Sequence, residues 1–180
     1  MRRNELSKRK WYCADPHFGH DAIVQFCNRP FKNADEADEA ILRNMHERVG
    51  PDDQLWLLGD FALGRRKLDK TWLREMFDRL PGAEQHLIVG NHDDEIIQSL
   101  PWTSVSHIAE VRDGTKRQFN TLFHYPMHTW NHARRGLTVC LAMFMTTGLE
   151  HATASMSGSM SGISILLPSM KSRGARRHCL

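Results

Sequence analysis

Three short segments carry side chains able to hold divalent cations. Asp15-Pro16-His17 offers a carboxylate and an imidazole two residues apart. Residues i and i+2 at a strand end face the same way, so both ligands point to one side. In Gly59-Asp60 the glycine allows a tight turn and leaves Asp60 well placed to bridge two ions. Gly90-Asn91-His92-Asp93 adds the neutral amide oxygen of Asn91. His92, beside it, points elsewhere and suits protonation or stabilisation of a leaving oxygen, with Asp93 placed to orient it. Carboxylate, amide and imidazole are the donors that hard and borderline divalent metals want. Two such ions about 3.5–4 Å apart share a bridging carboxylate and a bridging hydroxide.

These segments need strands to deliver them. Lys10 to Ala14 reads as a strand ending at Asp15, Gln54 to Leu58 as a buried strand ending at Gly59-Asp60, and His86 to Val89 as a strand running into Gly90. Val105 to Val111, Arg117 to Phe123 and Leu137 to Leu141 read as further strands. Helices are expected from Asp21 to Phe26, after a cap at Asn33 or Asp35 with the stripe Ala37, Ile41, Leu42 and Met45, and from Asp69 to Leu80. Gly50-Pro51-Asp52-Asp53 is a turn. Strands alternating with helices indicate an α/β fold, in which sites gather at the C-terminal edges of strands.

Bulk properties narrow the function classes. The 180 residues fit one domain with a substantial core. No apolar run approaches the roughly 18–20 residues that cross a bilayer, and the basic N-terminus leads into a polar motif, so a cytoplasmic protein is expected, with no membrane partner. Cys13, Cys27, Cys140 and Cys179 show no CxxC pair and read as buried or free thiols. The net charge is +3. Up to Leu141 acidic and basic residues balance; beyond it Lys171, Arg173, Arg176 and Arg177 face only Glu150. Nucleic acid is therefore expected only as a substrate: Arg2, Arg3, Lys8, Arg9 and Lys10 lack interleaved aromatic residues.

With His124 in Leu122-Phe123-His124-Tyr125-Pro126, these segments follow the order D-x-H, G-D, G-N-H-D, H. The chain thereby resembles the calcineurin-like metallophosphoesterase superfamily. Asp15-Pro16-His17-Phe18-Gly19-His20, followed by Phe26-Cys27-Asn28-Arg29-Pro30-Phe31, is similar to a small bacterial and phage branch of it. The resemblance covers about Lys10 to Leu141. It implies an α/β fold built as a two-sheet β-sandwich flanked by helices. It also implies two divalent ions, with manganese expected and iron, zinc or nickel acceptable to the same donors. Asp15 and His17 would bind the first ion, Asp60 would bridge, Asn91 and His124 would bind the second, and His92 would be the catalytic histidine. The implied reaction is hydrolysis of a phosphate mono- or diester by metal-activated hydroxide. Arg29 could grip a phosphate bidentately or equally serve at a helix end or in an ion pair, and His20 is a further substrate-side or structural candidate. His46, His86 and His107 read as structural. His128 and His132 flank Trp130 four residues apart and would face a metal only if helical.

The superfamily's last motif, G-H-x-H, should follow Val139-Cys140-Leu141, where this chain has Ala142-Met143-Phe144-Met145. The segment 142–180 is rich in Met, Ser, Gly and Ala, and weak or no order is expected there. Leu141 to Met145 can be encoded by CTG GCC ATG TTC ATG, and a shifted frame of that string contains GGC CAT GTT CAT, Gly-His-Val-His. We therefore read 1–141 as a C-terminally incomplete phosphoesterase-like domain and 142–180 as a tail produced by a frameshift in the gene or in its sequencing. A metal-binding remnant with impaired catalysis is the alternative to an active enzyme. The nucleotide sequence checks this: it should encode Gly-His-Val-His in an alternative frame near Leu141, and codons that forbid this in both frames would remove the idea.

Overall fold

The computed structural model describes residues 8–27, 29–112 and 119–129, together with the strand backbones at 139–141 and 164–165. Its elements are β1 (Lys10–Cys13), α1 (Asp21–Phe26), α2 (Ala34–Arg48), β2 (Gln54–Leu57), a 3₁₀ turn (Arg65–Leu68), α3 (Lys70–Asp78), β3 (Glu84–Ile88), α4 (Glu95–Gln98), β4 (Ser104–Ser106), β5 (Ile108–Arg112), β6 (Phe119–Phe123), β7 (Val139–Leu141) and β8 (Ser164–Ile165). One sheet runs β4-β3-β2-β1-β8 with every pairing parallel. The other runs β5-β6-β7, with β5 antiparallel and β7 parallel to β6.

Both faces of the parallel sheet are covered, which is why its strands read as continuous apolar runs. Side chains alternate between the two sides. Cys13, Leu55, Leu57, Leu87 and Val89 join a core with Ile41, Leu42 and Met45 of α2 and Leu73, Met76 and Phe77 of α3. Tyr12, Trp56, Leu58 and Ile88 face the other way and pack with Val111 and Leu122 of the second sheet. The fold is thus α/β, with helices against one face of a parallel sheet and a second sheet against the other.

Local signals explain the helices. Asn33 caps α2 by accepting from the Glu36 amide at 3.0 Å, and acidic residues fill the first turn where the helix dipole favours them. Asp69 caps α3 through the amides of Thr71 and Trp72. Asp94 caps the short α4 in the same way and buries Ile97. The sequence reading passed over α4, although an acidic cap before Glu95-Ile96-Ile97 signals it.

Two expectations are corrected. Val105 to Val111 is not one strand. Ser104–Ser106 is the edge of the parallel sheet, pairing with β3, whereas Ile108–Arg112 pairs with β6 in the other sheet. Period-two patterning cannot register a chain that changes sheets at His107, because each half alternates in its own frame. In the tail, where weak or no order is expected, Ser164–Ile165 forms a two-residue strand beside Trp11 and Tyr12. The rest of 142–180, including Ala142 to Met145 where the last motif is expected, lies outside the described residues.

Leu57 is fully buried and Leu68 is 75% exposed. Leu57→Ala should cost ~2–5 kcal/mol in urea unfolding, as core truncations to alanine do. Leu68→Ala should stay within about 0.5 kcal/mol. Equal effects would contradict this core.

Candidate metal centre

Four strand ends meet at the C-terminal edge of the parallel sheet and the adjoining end of β6. Beyond β1 come Asp15 and His17, beyond β2 Asp60, beyond β3 Asn91 and His92, and beyond β6 His124. Donor atoms of Asp15, His17 and Asp60 lie within 4.8 Å of one another. His17 Nε2 is 3.7 Å from Asp60 Oδ2, and His124 Nε2 is 3.8 Å from the same oxygen. His124 Nδ1 lies 3.7 Å from Asp15 Oδ1, and its Nε2 is 3.0 Å from Asn91 Oδ1. All five expected ligands are therefore brought together.

The tautomer of His124 follows from its partner. Its Nδ1 is 2.8 Å from the Leu58 carbonyl, which can only accept, so Nδ1 carries the proton. The other nitrogen, Nε2, faces the oxygens of Asn91 at 3.0 Å and Asp60 at 3.8 Å, acceptors gathered round it as they would be around a shared cation.

The backbone is strained where these ligands sit. Among the described residues, the non-glycine residues with positive φ are Asp15 (48°), His17 (52°) and Asp60 (55°). Such conformations cost of order 1–3 kcal/mol each and cluster at functional sites. They persist because the loops hold one another. The amides of His17 and Phe18 donate to the carbonyls of Asp60 and Phe61, both at 3.0 Å. Two glycines make the approach feasible. A Cβ on Gly59 would stand 2.1 Å from His124 Nδ1, and one on Gly90 would stand 2.3 Å from Asp60 Oδ1.

The donor set fits a cation on physical grounds. Asp15 Oδ1, both ring nitrogens of His17 and His20 Nδ1 are buried without a hydrogen-bond partner. Buried polar atoms are normally satisfied, and orphans gathered in one place call for an ion or ordered water. Burial, then the charge of Asp60, pushes the Asp15 carboxyl up to about 8. Burial brings His17 down to about 4, against the pull of Asp60, so its ring is neutral and able to coordinate. Burial also lowers His20, with a further contribution from His92.

Asp93 does not orient His92. Its carboxylate accepts from the amides of Gly90 (2.8 Å), Asp60 (2.9 Å) and Phe61 (2.9 Å), so it ties the β2 loop to the β3 loop. Arg29 has its guanidinium against the loop that carries Asp15 and His17. It donates to the backbone carbonyls of Pro16 at 3.2 Å and Asp15 at 3.3 Å. His92 itself is fixed through its main chain. Its amide donates to Asp60 Oδ1 at 2.9 Å and its carbonyl accepts from Lys67 Nζ at 2.6 Å. The His92 ring lies 6.0 Å from that of His17, and the His20 ring 5.9 Å from it, so three imidazoles line one side of the centre.

Among the other histidines, His46 meets the Arg79 carbonyl, His86 stacks on Trp56 at 4.1 Å, and His107 is exposed between two strands. His128 is exposed, while His132 and the stretch 142–145 lie outside the described residues.

The sequence reading missed Asp38 and Lys67. Asp38 is buried and accepts from the Gly19 amide at 3.0 Å, bracing the loop that carries His17 and His20. Burial pushes its carboxyl up to about 7. The signal was present: Asp38 falls on the apolar stripe of α2, where an acid is out of place. Lys67, which also pairs with Asp94 at 3.0 Å, had no such signal.

No family model matches the chain. It is 39% identical over 89 residues to the uncharacterised protein MJ1445 of Methanocaldococcus jannaschii, covering 49% of each chain. It is 35% identical over 83 residues to the gene 66 protein of mycobacterium phage L5 and 32% identical over 83 residues to that of phage D29. Each phage match covers 46% of this chain and 39% of the phage protein. The chain thus matches about half or less of the length of these relatives. The crystal structure of a protein of unknown function from Aquifex aeolicus, AQ665, is similar at a TM-score of 0.52 and 26% identity, over 70% of this chain and 67% of that one. Among the described residues no helix is long and apolar enough to cross a membrane.

Below pH 8 the cation-free Asp15 carboxyl keeps a proton that a cation must displace, whereas His17 is already neutral. Mn²⁺ affinity should therefore rise with pH by up to ~10-fold per unit and level off above about 8, with about one proton released at pH 7. Calorimetric titration in buffers of different ionisation heat measures both. A flat affinity across that range would contradict the assignment of Asp15.

Proposed function

We propose that the chain is a dinuclear-metal phosphoesterase of the calcineurin-like metallophosphoesterase type, with the two sheets and flanking helices as that superfamily's sandwich. The observation that carries the reading is the convergence of Asp15, His17, Asp60, Asn91 and His124 from four separate strand ends, with donor atoms of Asp15 and His17 left buried and unpartnered. Asp15 and His17 would hold one divalent ion, Asn91 and His124 a second, and Asp60 would lie between them. Ions held there supply Lewis acidity toward a phosphoryl oxygen and lower the pKa of water.

The remaining groups fit the same reaction. His92 approaches the centre without serving as a ligand, and its backbone is held by Asp60 and Lys67. Its ring is therefore the group to donate a proton to the leaving oxygen. His20, on the same side, is suited to contact a phosphate oxygen. The substrate is a phosphate mono- or diester, with nucleic acid entering only as such a substrate. Manganese is the proposed ion, and the compartment is the cytoplasm.

One sequence observation favours the second reading, an impaired metal-binding remnant. No G-H-x-H follows Leu141, so one imidazole for each ion is missing from the pattern. Hydrolysis of a chromogenic phosphodiester and phosphomonoester with Mn²⁺ tests the proposal, alongside Asp60→Asn and a chain whose frame is restored after Leu141. Asp60→Asn should lower turnover at least ~100-fold, beyond what loss of an outer partner usually costs. Metal uptake without turnover, reversed by restoring the frame, would establish the remnant. Turnover indifferent to both metal and Asp60 would end the phosphoesterase reading.

A further inference from the structure

We propose that Arg29 is a positioning residue of the metal centre, setting cation affinity by holding the Asp15-Pro16-His17 loop by its carbonyls rather than by gripping phosphate. This inference rests on the metal-centre reading above.

The geometry is specific. Two nitrogens of one guanidinium reach two consecutive carbonyls, those of Asp15 and Pro16. The planar fork suits such a pair, and a lysine ammonium offers no equivalent. The arginine is itself anchored beyond α1, because its amide donates to the Val24 carbonyl at 2.9 Å and its carbonyl accepts from Phe31 at 2.8 Å.

The loop it holds needs holding. Asp15 and His17 both have positive φ, which an L side chain disfavours, and Asp15 also precedes proline, where the backbone is further restricted. Released, the loop would relax and carry both ligands away from Asp60.

What Arg29 does not bond is as informative. A direct ion pair with the Asp15 carboxylate would compete with a cation for it. Arg29 takes the carbonyls instead and leaves Asp15 Oδ1 buried and without a hydrogen-bond partner. Outer groups that orient metal ligands commonly matter this much, with ~10–100-fold in metal affinity lost on their removal.

The test is Mn²⁺ titration of the full chain, read by the EPR signal of free Mn²⁺, with circular dichroism as the control for folding. Arg29→Met should weaken Mn²⁺ binding ~10–100-fold. Arg29→Lys should recover part of the loss by reaching one carbonyl. Arg74→Met, which removes an exposed cation paired with Asp78, should change nothing. If Arg29→Met fails to fold, Arg29→Gln, which keeps one donor, should still bind Mn²⁺ more weakly than the parent. A folded Arg29 variant with parental Mn²⁺ affinity would overturn the proposal. So would unchanged Mn²⁺ affinity combined with weaker binding of inorganic phosphate to the loaded protein, which would return Arg29 to the role of phosphate grip. If the parent chain binds no Mn²⁺, the metal-centre reading fails first and this inference falls with it.

Discussion

The Asp93 carboxylate, buried and accepting three backbone amides, is the tie on which the site depends. It joins the loops after β2 and β3, and those loops carry Asp60, Asn91 and His92. Burial of such a group is costly unless its lone pairs are filled. Here three amide donors fill them, although burial still pushes the carboxyl above its ordinary range. Leaving those three amides without their acceptor would expose the strained Asp60 backbone to relaxation.

Around that tie the centre is built from mutual restraint. Asp15, His17 and Asp60 occupy backbone conformations that single residues adopt reluctantly. Each is held through its main chain: Arg29 at the Asp15 carbonyl, the Asp60 carbonyl at the His17 amide, Asp93 at the Asp60 amide. Asp38, on the opposite side, fixes Gly19 from α2. Strain of this kind survives only where the surroundings over-determine it. The parallel sheet provides that rigidity, packed on one face by helices and on the other by the second sheet.

The archaeal and phage relatives match about half of the chain, and the Aquifex aeolicus structure matches a larger share at lower identity. None of those proteins carries an activity in its description, so the chemistry proposed here rests on the donor atoms and their geometry.

Much of this was legible in the chain itself. Three of the four helices followed from caps and apolar stripes, and the β1 and β2 strands from short apolar runs ending in polar ligands, because these are local properties of a few neighbouring residues. The donor atoms that Asp15, His17, Asp60 and Asn91 offer were legible for the same reason: donor chemistry belongs to the side chain. The roles of Asp93 and Arg29 were not. Both look in sequence like groups free to meet a partner, yet both are spent on backbone atoms brought to them from other segments. The split of 104–112 between two sheets was equally hidden, since alternation does not say which sheet a strand joins. The sequence by itself determined which chemistry the residues could perform. Only the tertiary structure decided which polar groups remain unpartnered for a cation, because hydrogen-bond satisfaction depends on contacts between residues far apart in the chain.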